Sequence, residues 1–238
     1  METKNYDNLA QQILETRNHF SVVRKQYTFD DELQVFKAIG NQLTHGKYEI
    51  DKENEFVIVN TLNWLLGKDF ECINPETNEK MPGDHQKGLY IAGTQGTGKS
   101  MILVILAAIA AACKINYEYG NQIIQLAWRE QRADEICNQF VLNGPEILKK
   151  CIDTPVLCLN DFGIGNPEQI YMGNRMNIIR QIIESRADSE GKFTVMTSNY
   201  PMNYKTIFEQ YGDRVVSRLF GMCNYFVLTG NDRRKSHV

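Results

Sequence analysis

Gly93-Thr94-Gln95-Gly96-Thr97-Gly98-Lys99-Ser100 is the stretch on which the reading of this chain turns. It fills the pattern G-x-x-x-x-G-K-[ST] at every fixed position and lies between two apolar runs, residues 89–92 and 101–113. The first run has the length of a buried strand and the second that of a helix, the setting the pattern requires. Each residue type has a mechanical task. Glycines let the backbone curl into a nest of N–H groups that binds an anion, and the helix start adds the positive end of its dipole. Lys99 is placed to reach the terminal phosphates of ATP, and the Ser100 hydroxyl to bind magnesium (Mg2+). A Gly-rich turn without a ligand would need its four fixed positions by chance, an event on the order of one in a hundred for a chain of this length.

Working outward, apolar runs of strand length recur at residues 115–119, 156–159, 193–197 and 225–228. Helical periodicity separates them, most clearly at 100–113 and at 174–186, where Met176, Ile179 and Ile183 form one stripe. Strands alternating with helices predict an α/β fold, a five-stranded parallel sheet flanked by helices. Upstream the pattern is helical. Leu9, Ile13 and Leu14 share a face; Leu33, Phe36, Ile39 and Leu43 share another, behind a Thr28 cap with Asp31 three residues on; and a third helix, residues 56–66, stops at Gly67. Residues 1–53 are thus expected to form a small helical N-terminal region and 54–238 the nucleotide-binding domain. The stretch after Asn199 has space for a short helix or two and the last strand, and for no further helical domain.

A carboxylate is expected at the end of a strand beside the phosphate loop, and Val156-Leu157-Cys158-Leu159-Asn160-Asp161 supplies the apolar run and the acid. The first polar position, where an Asp usually organises magnesium, is Asn160. Asp161 then takes the place of the carboxylate that activates water, with Ser100, Asn160 and Asp161 as the metal-side groups. An amide oxygen carries no full charge, so hydrolysis is expected to be slow. The alternative is that Asp161 and Gly163 only begin a turn.

Composition sets limits on the rest. With 42% hydrophobic and 23% charged residues the chain is ordinary for a globular protein, and no apolar run approaches the roughly twenty residues of a bilayer span. The expected setting is the cytoplasm, without a membrane partner. Six scattered cysteines lack metal-ligand or disulfide spacing, and a net charge of -3 argues against strong autonomous DNA binding.

The ordered set GLYIAGTQGTGKS (88–100), VLCLNDFG (156–163), TVMTSN (194–199), YGDRVVSRL (211–219) and VLTGNDRR (227–234) resembles the AAA+ ATPases, in particular the helicase loaders of DnaC type and the related IstB-type transposition ATPases. The likeness covers residues 56–234 and implies an AAA+ P-loop fold without a C-terminal lid domain. It implies that Asn199 is the sensor holding the attacking water or the terminal phosphate; the alternative is that Ser198 and Asn199 cap the segment before Pro201. Arg214 and Arg218, four apart, share a helix face. The resemblance makes Arg218 the finger supplied to a neighbouring subunit's nucleotide and Arg214 its support; otherwise they pair with acids such as Glu209 and Asp213 on a solvated face. Arg233 and Arg234 match a terminal Arg-containing motif loosely, and a plain basic tail fits as well.

The implied function is that of an ATP-dependent replication accessory protein in a phage or mobile element, acting on a replicative helicase and single-stranded DNA and self-associating with ATP into a ring or helical filament. The IstB-like alternative is a regulator of transposition that binds DNA and a transposase. A small-molecule kinase on the same loop lacks a visible Arg-rich lid. Residues 1–53 take the position of the helicase-gripping region, and Arg17, His19, Phe20, Arg24, Lys25 and Tyr27 interleave as in binders of single strands, although an amphipathic helix and linker explain them too.

Overall fold

Residues 88–93, 156–162 and 193–198 are buried almost throughout, so both faces of the strands they form must be covered and their place is the middle of a sheet. The computed structural model describes residues 21–233. In chain order, strand β1 (Val22–Arg24) precedes helices α1 (Glu32–Leu43) and α2 (Glu55–Leu66), then β2 (Glu71–Ile73), β3 (Lys80–Pro82) and β4 (Gly88–Gly93). Helix α3 (Lys99–Ala112) leads to β5 (Asn116–Tyr119), β6 (Gln122–Gln125), β7 (Glu130–Arg132), α4 (Ala133–Asn143) and α5 (Pro145–Asp153). The remainder is β8 (Val156–Phe162), β9 (Glu168–Tyr171), β10 (Asn174–Asn177), α6 (Ile178–Ala187), β11 (Phe193–Ser198), α7 (Lys205–Tyr211), α8 (Asp213–Met222) and β12 (Cys223–Leu228).

The main sheet runs in the order β3-β2-β12-β4-β11-β8-β7. Its last five strands are mutually parallel, and β2 and β3 add an antiparallel edge. Five parallel strands were expected, but the fifth is Glu130–Arg132 and not the run at 115–119. That run instead pairs antiparallel with β1 and β6 in a separate three-stranded sheet. The true edge strand is the polar Glu-Gln-Arg, which hydrophobic periodicity cannot register.

Two cores sandwich the main sheet. Leu89, Ile91, Cys158, Val195 and Phe226 face one with Phe36, Trp64 and Leu103, while Tyr90, Leu157, Leu159 and Met196 face the other with Phe140, Ile179 and Ile183. Residues 21–53 share the first core through Val22 and Phe36.

Two helix expectations shift. The helix expected over 174–186 begins only at Ile178, capped by Asn177, whose side chain accepts the Arg180 N–H at 2.9 Å. Residues 174–177, Met176 among them, form a hairpin with β9 across a tight turn at Met172 and Gly173, both at positive φ as a two-residue hairpin loop requires. Thr28 does not cap α1; the helix starts at Glu32, whose carboxylate accepts the Phe29 N–H at 3.3 Å. The stripe of Leu9, Ile13 and Leu14 lies outside the described residues, whereas α2 does end at Gly67, at φ 71 and against the Lys25 carbonyl.

Two arginines, one half-buried and one fully buried, tie the layers together. Arg24 donates to the Trp64 and Leu65 carbonyls at the end of α2 and lies over the Trp64 and Phe193 rings. Arg186, 1% exposed, donates to the carbonyls of Cys151, Ile152, Thr154, Pro155 and Phe193 and to the Thr194 hydroxyl. It stitches the end of α5 to the starts of β8 and β11. Arg186→Met keeps the buried stem but removes every donor, and should lower the unfolding free energy by about 3 kcal/mol. The measurement is the denaturant midpoint at constant slope; a midpoint equal to that of the wild type would mean that the carbonyls find other donors.

Candidate functional site

The segment Gly93–Ser100 leaves the C-terminal end of β4 and enters α3. Its glycines take backbone angles closed to other residues: Gly96 has φ 83, and a Cβ there would strike the Asp232 carboxylate. Helix α3 begins at Lys99 behind Gly98 with no side-chain cap and no acid in its first turn, so its first N–H groups remain for an external anion. Lys99 is buried and folds back, donating to the Gly93 and Thr94 carbonyls at 2.7 and 2.8 Å and to Asn199 Oδ1 at 2.9 Å. The last bond joins the loop to the end of β11.

A cavity of about 780 Å³ opens on this loop, within the range of small-molecule sites. Gln95, Gly96, Gly98, Lys99 and Ser100 line it from the loop, and Asp161, Asn199 and Arg132 from the ends of β8, β11 and β7. Thr44, Lys47, Tyr48 and Glu49 from the connection after α1 complete it together with Arg233. Asp161 is brought there by a bulge. The pairing of β11 with β8 slips by one residue after Leu159, and Asp161 takes a left-handed φ of 58. Such bulges re-aim side chains next to sites. Thr197 holds this one, its hydroxyl accepting the Asp161 N–H at 3.2 Å and donating to Asn160 Oδ1 at 2.9 Å.

That second bond decides the fate of Asn160. Expected on the metal side, it is instead buried, outside the cavity lining, with its amide oxygen engaged by Thr197. Its side chain also lies beside Glu130, whose carboxyl is raised by partial loss of solvent, an effect the Asn160 amide offsets only in part. A carboxamide donates to Glu130 while accepting from Thr197; a carboxylate could not do both. The departure from Asp thus has a local reason.

The donor set fits a nucleoside triphosphate: uncapped helix N–H groups, the ammonium of Lys99 and an adjoining cavity. For magnesium, Ser100 and Asp161 face the cavity, and Asn160 does not. Among the described residues no group of three or more His, Cys, Asp or Glu could hold a metal by itself, and no cysteine is paired. Nor is any described helix long and apolar enough to cross a membrane.

Arg132 and Arg233 were placed less well by sequence. Arg132 is a cation at the cavity with no motif to announce it. Arg233 donates its backbone N–H to the Gly96 carbonyl and its guanidinium to both oxygens of Asp51, which holds the Asp51 carboxyl below its usual range. Arg234 lies outside the described residues. Arg214 and Arg218 do not line the cavity of their own chain. They lie on α8 and face α6, with Arg214 3.7 Å from Glu184 and Arg218 2.6 Å from Asp188, rather than pairing with Glu209 or Asp213. Of the basic and aromatic residues near the N-terminus, Arg17, His19 and Phe20 fall outside the described residues. Arg24 is half-buried and donates to the Trp64 and Leu65 carbonyls, Lys25 pairs with Glu118, and the Tyr27 hydroxyl accepts the Asn116 N–H, so these three serve the fold.

No family model matches the sequence, and no curated protein matches it. Solved structures do. One, from Streptococcus pyogenes serotype M3 and described as a primosome component, superposes with a TM-score of 0.52 at 19% identity, over 76% of this chain and 81% of that one. A DnaC helicase loader gives 0.49 at 19% identity over 76% and 93% of the two chains. AMPPCP-bound DnaA from Aquifex aeolicus gives 0.49 at 16% identity over 79% and 50%. The likeness is one of fold alone.

Asn160→Asp sets a second carboxylate against Glu130 and removes a donor, so it should destabilise the chain by about 1–3 kcal/mol at neutral pH. Like charge raises both carboxyls in the folded state; the deficit therefore grows as pH rises through their titration and shrinks in acid. Thermal midpoints across pH check this. Adding Glu130→Gln should restore the midpoint, and a single variant as stable as the wild type would refute the bridging role.

Proposed function

We propose that this chain is an ATP-dependent accessory ATPase of DNA replication, of the helicase-loader kind, that assembles through its nucleotide sites. One observation carries the reading: Lys99 and Ser100, Asp161 and Asn199 meet at one cavity, at the C-terminal ends of the adjacent strands β4, β8 and β11. Open parallel sheets bind their ligands at that edge. The ordered motif set supports the replication role, as does the fold shared with a protein described as a primosome component.

In this reading the N–H groups of the loop and of the start of α3 cradle the phosphates. Lys99 exchanges the Gly93 and Thr94 carbonyls for phosphate oxygens, Asn199 orients the attacking water, and the Asp161 carboxylate accepts its proton. Ser100 and Asp161 would hold magnesium, which would supply charge neutralisation at the phosphates. Hydrolysis is slow because Asn160 brings no charge to the metal side, and the protein works as an ATP-bound switch. Arg218, with Arg214 in support, completes the site of the next copy, which makes the contact head-to-tail and the assembly a ring or helical filament. Residues 1–53 grip the replicative helicase, and single-stranded DNA is the nucleic-acid partner.

Lys99→Ala should abolish Mg-ATP binding in calorimetry while leaving the circular dichroism unchanged; equal affinity in a folded variant would overturn the nucleotide site. Arg218→Ala should bind ATP with nearly unchanged affinity but lose ATP-stimulated assembly in sedimentation and most hydrolysis. Mixing it with Lys99→Ala should recover part of the activity, since one chain brings the finger and the other an intact loop. An Arg218→Ala protein that hydrolyses normally as a monomer would remove the finger. ATP-dependent co-sedimentation with the host's hexameric helicase tests the loader role, which capture of a transposase in its place would defeat.

A further inference from the structure

A second cavity, of about 400 Å³, lies at the opposite end of β8 from the nucleotide site. Val156, Leu157 and Cys158 line it from the start of that strand, whereas Asp161 near its end faces the first cavity. It exists because the edge of the main sheet is incomplete there. β7 is the outermost strand and pairs only from Glu130, opposite Cys158, so Val156 and Leu157 have no partner strand on this side. Trp128 and Arg129, just before β7, and Lys150 of α5 border the gap.

Two features of this lining are out of balance. Arg129 and Lys150 bring two exposed positive charges, and no acidic residue lines the cavity. The acids next to it in sequence are engaged elsewhere, Glu130 beside Asn160 and Asp153 with Lys192 at 3.8 Å. Every other described arginine has a hydrogen bond or ion pair to an oxygen of this chain; Arg129 has none among the described residues. The second feature is Trp128. Trp64 donates its indole N–H to the Lys87 carbonyl at 2.9 Å, but the N–H of Trp128 is buried with no acceptor among the described residues. Buried indole N–H groups normally find one.

We propose that this cavity docks an acidic segment of a partner protein: an apolar side chain seats on Trp128, Val156 and Leu157, and neighbouring carboxylates meet Arg129 and Lys150. An apolar centre under an exposed charged rim is the anatomy of protein–protein contacts, and the uncompensated rim sets the sign of the partner. A carboxylate oxygen also offers the Trp128 indole the acceptor it lacks. A bare phosphate would satisfy the rim and leave the apolar floor without a partner. No residue lines both cavities, so the docking site stands whether or not the other takes ATP.

The experiment is a titration of the full chain with a fluorescein-labelled peptide of alternating glutamate and leucine, read by the anisotropy of the label and by the tryptophan emission of the protein. The peptide should bind, more weakly as salt rises, and should shift an emission that Trp128→Phe no longer shifts. Arg129→Glu combined with Lys150→Glu reverses two exposed charges without touching the core, and should weaken the peptide by about tenfold or more while leaving the affinity for an ATP analogue unchanged. Arg129→Gln alone should cost about threefold. A peptide with lysine in place of glutamate should not bind. Absence of binding by the glutamate peptide at millimolar concentration, or an affinity that the charge reversal leaves unchanged, would overturn the proposal. So would displacement of the peptide by inorganic phosphate at constant ionic strength, the mark of a small-anion site, or binding of oligothymidine that the same reversal abolishes, the mark of a nucleic-acid face.

Discussion

The inner strands of the main sheet are enclosed on both faces by helices and on both sides by other strands, and every polar group the protein exposes for chemistry must therefore lie where those strands end. In a parallel sheet all C-terminal ends fall on one side. The phosphate loop after β4, the bulge at the end of β8 and Asn199 after β11 become neighbours for that reason, although some 60 to 100 residues of chain separate them. The bond from Lys99 to Asn199 spans 100 positions of sequence and 2.9 Å of space.

The side chains at this edge are held by bonds that also shape the backbone. Thr197 fixes the left-handed turn at Asp161 with one bond and occupies Asn160 with the other, so the placement of the acid and the withdrawal of the amide are two results of one hydroxyl. Ser198 repeats the device one residue on, donating to the Phe162 carbonyl at 2.7 Å and accepting the Tyr200 N–H at 3.0 Å. Hydroxyl residues at the end of β11 thus serve as the frame of the site. Substituting them would move Asp161 before it altered any contact to a ligand.

Oxygen atoms of the protein occupy three of the cations that line the cavity. Lys99 rests on loop carbonyls and Asn199, Arg132 on Asp134 and Asp161, and Arg233 on Asp51 and Glu53. Charge beside a cavity is stable only when compensated, and these contacts compensate it in a form that a phosphate can replace. The grip of Arg233 also fastens the segment after β12 to the start of α2, since the same Asp51 accepts the Glu53 and Asn54 N–H groups.

The sequence by itself determined the phosphate loop, the α/β class and four of the five parallel strands, because each rests on local signals: a contiguous motif, runs of apolar residues, and glycines where the backbone must turn. It also marked Asp161 and Asn199 as residues of interest by their position after apolar strands. Only the tertiary structure decided that Glu130–Arg132 is the fifth strand, since a polar edge strand has no periodicity and is defined by the neighbour it pairs with. For the same reason Arg132 was invisible and Asn160 was misplaced. Whether an amide faces a cavity or a hydroxyl depends on a one-residue slip in pairing between two strands more than thirty residues apart, and a slip of that kind leaves no trace in either strand's own sequence.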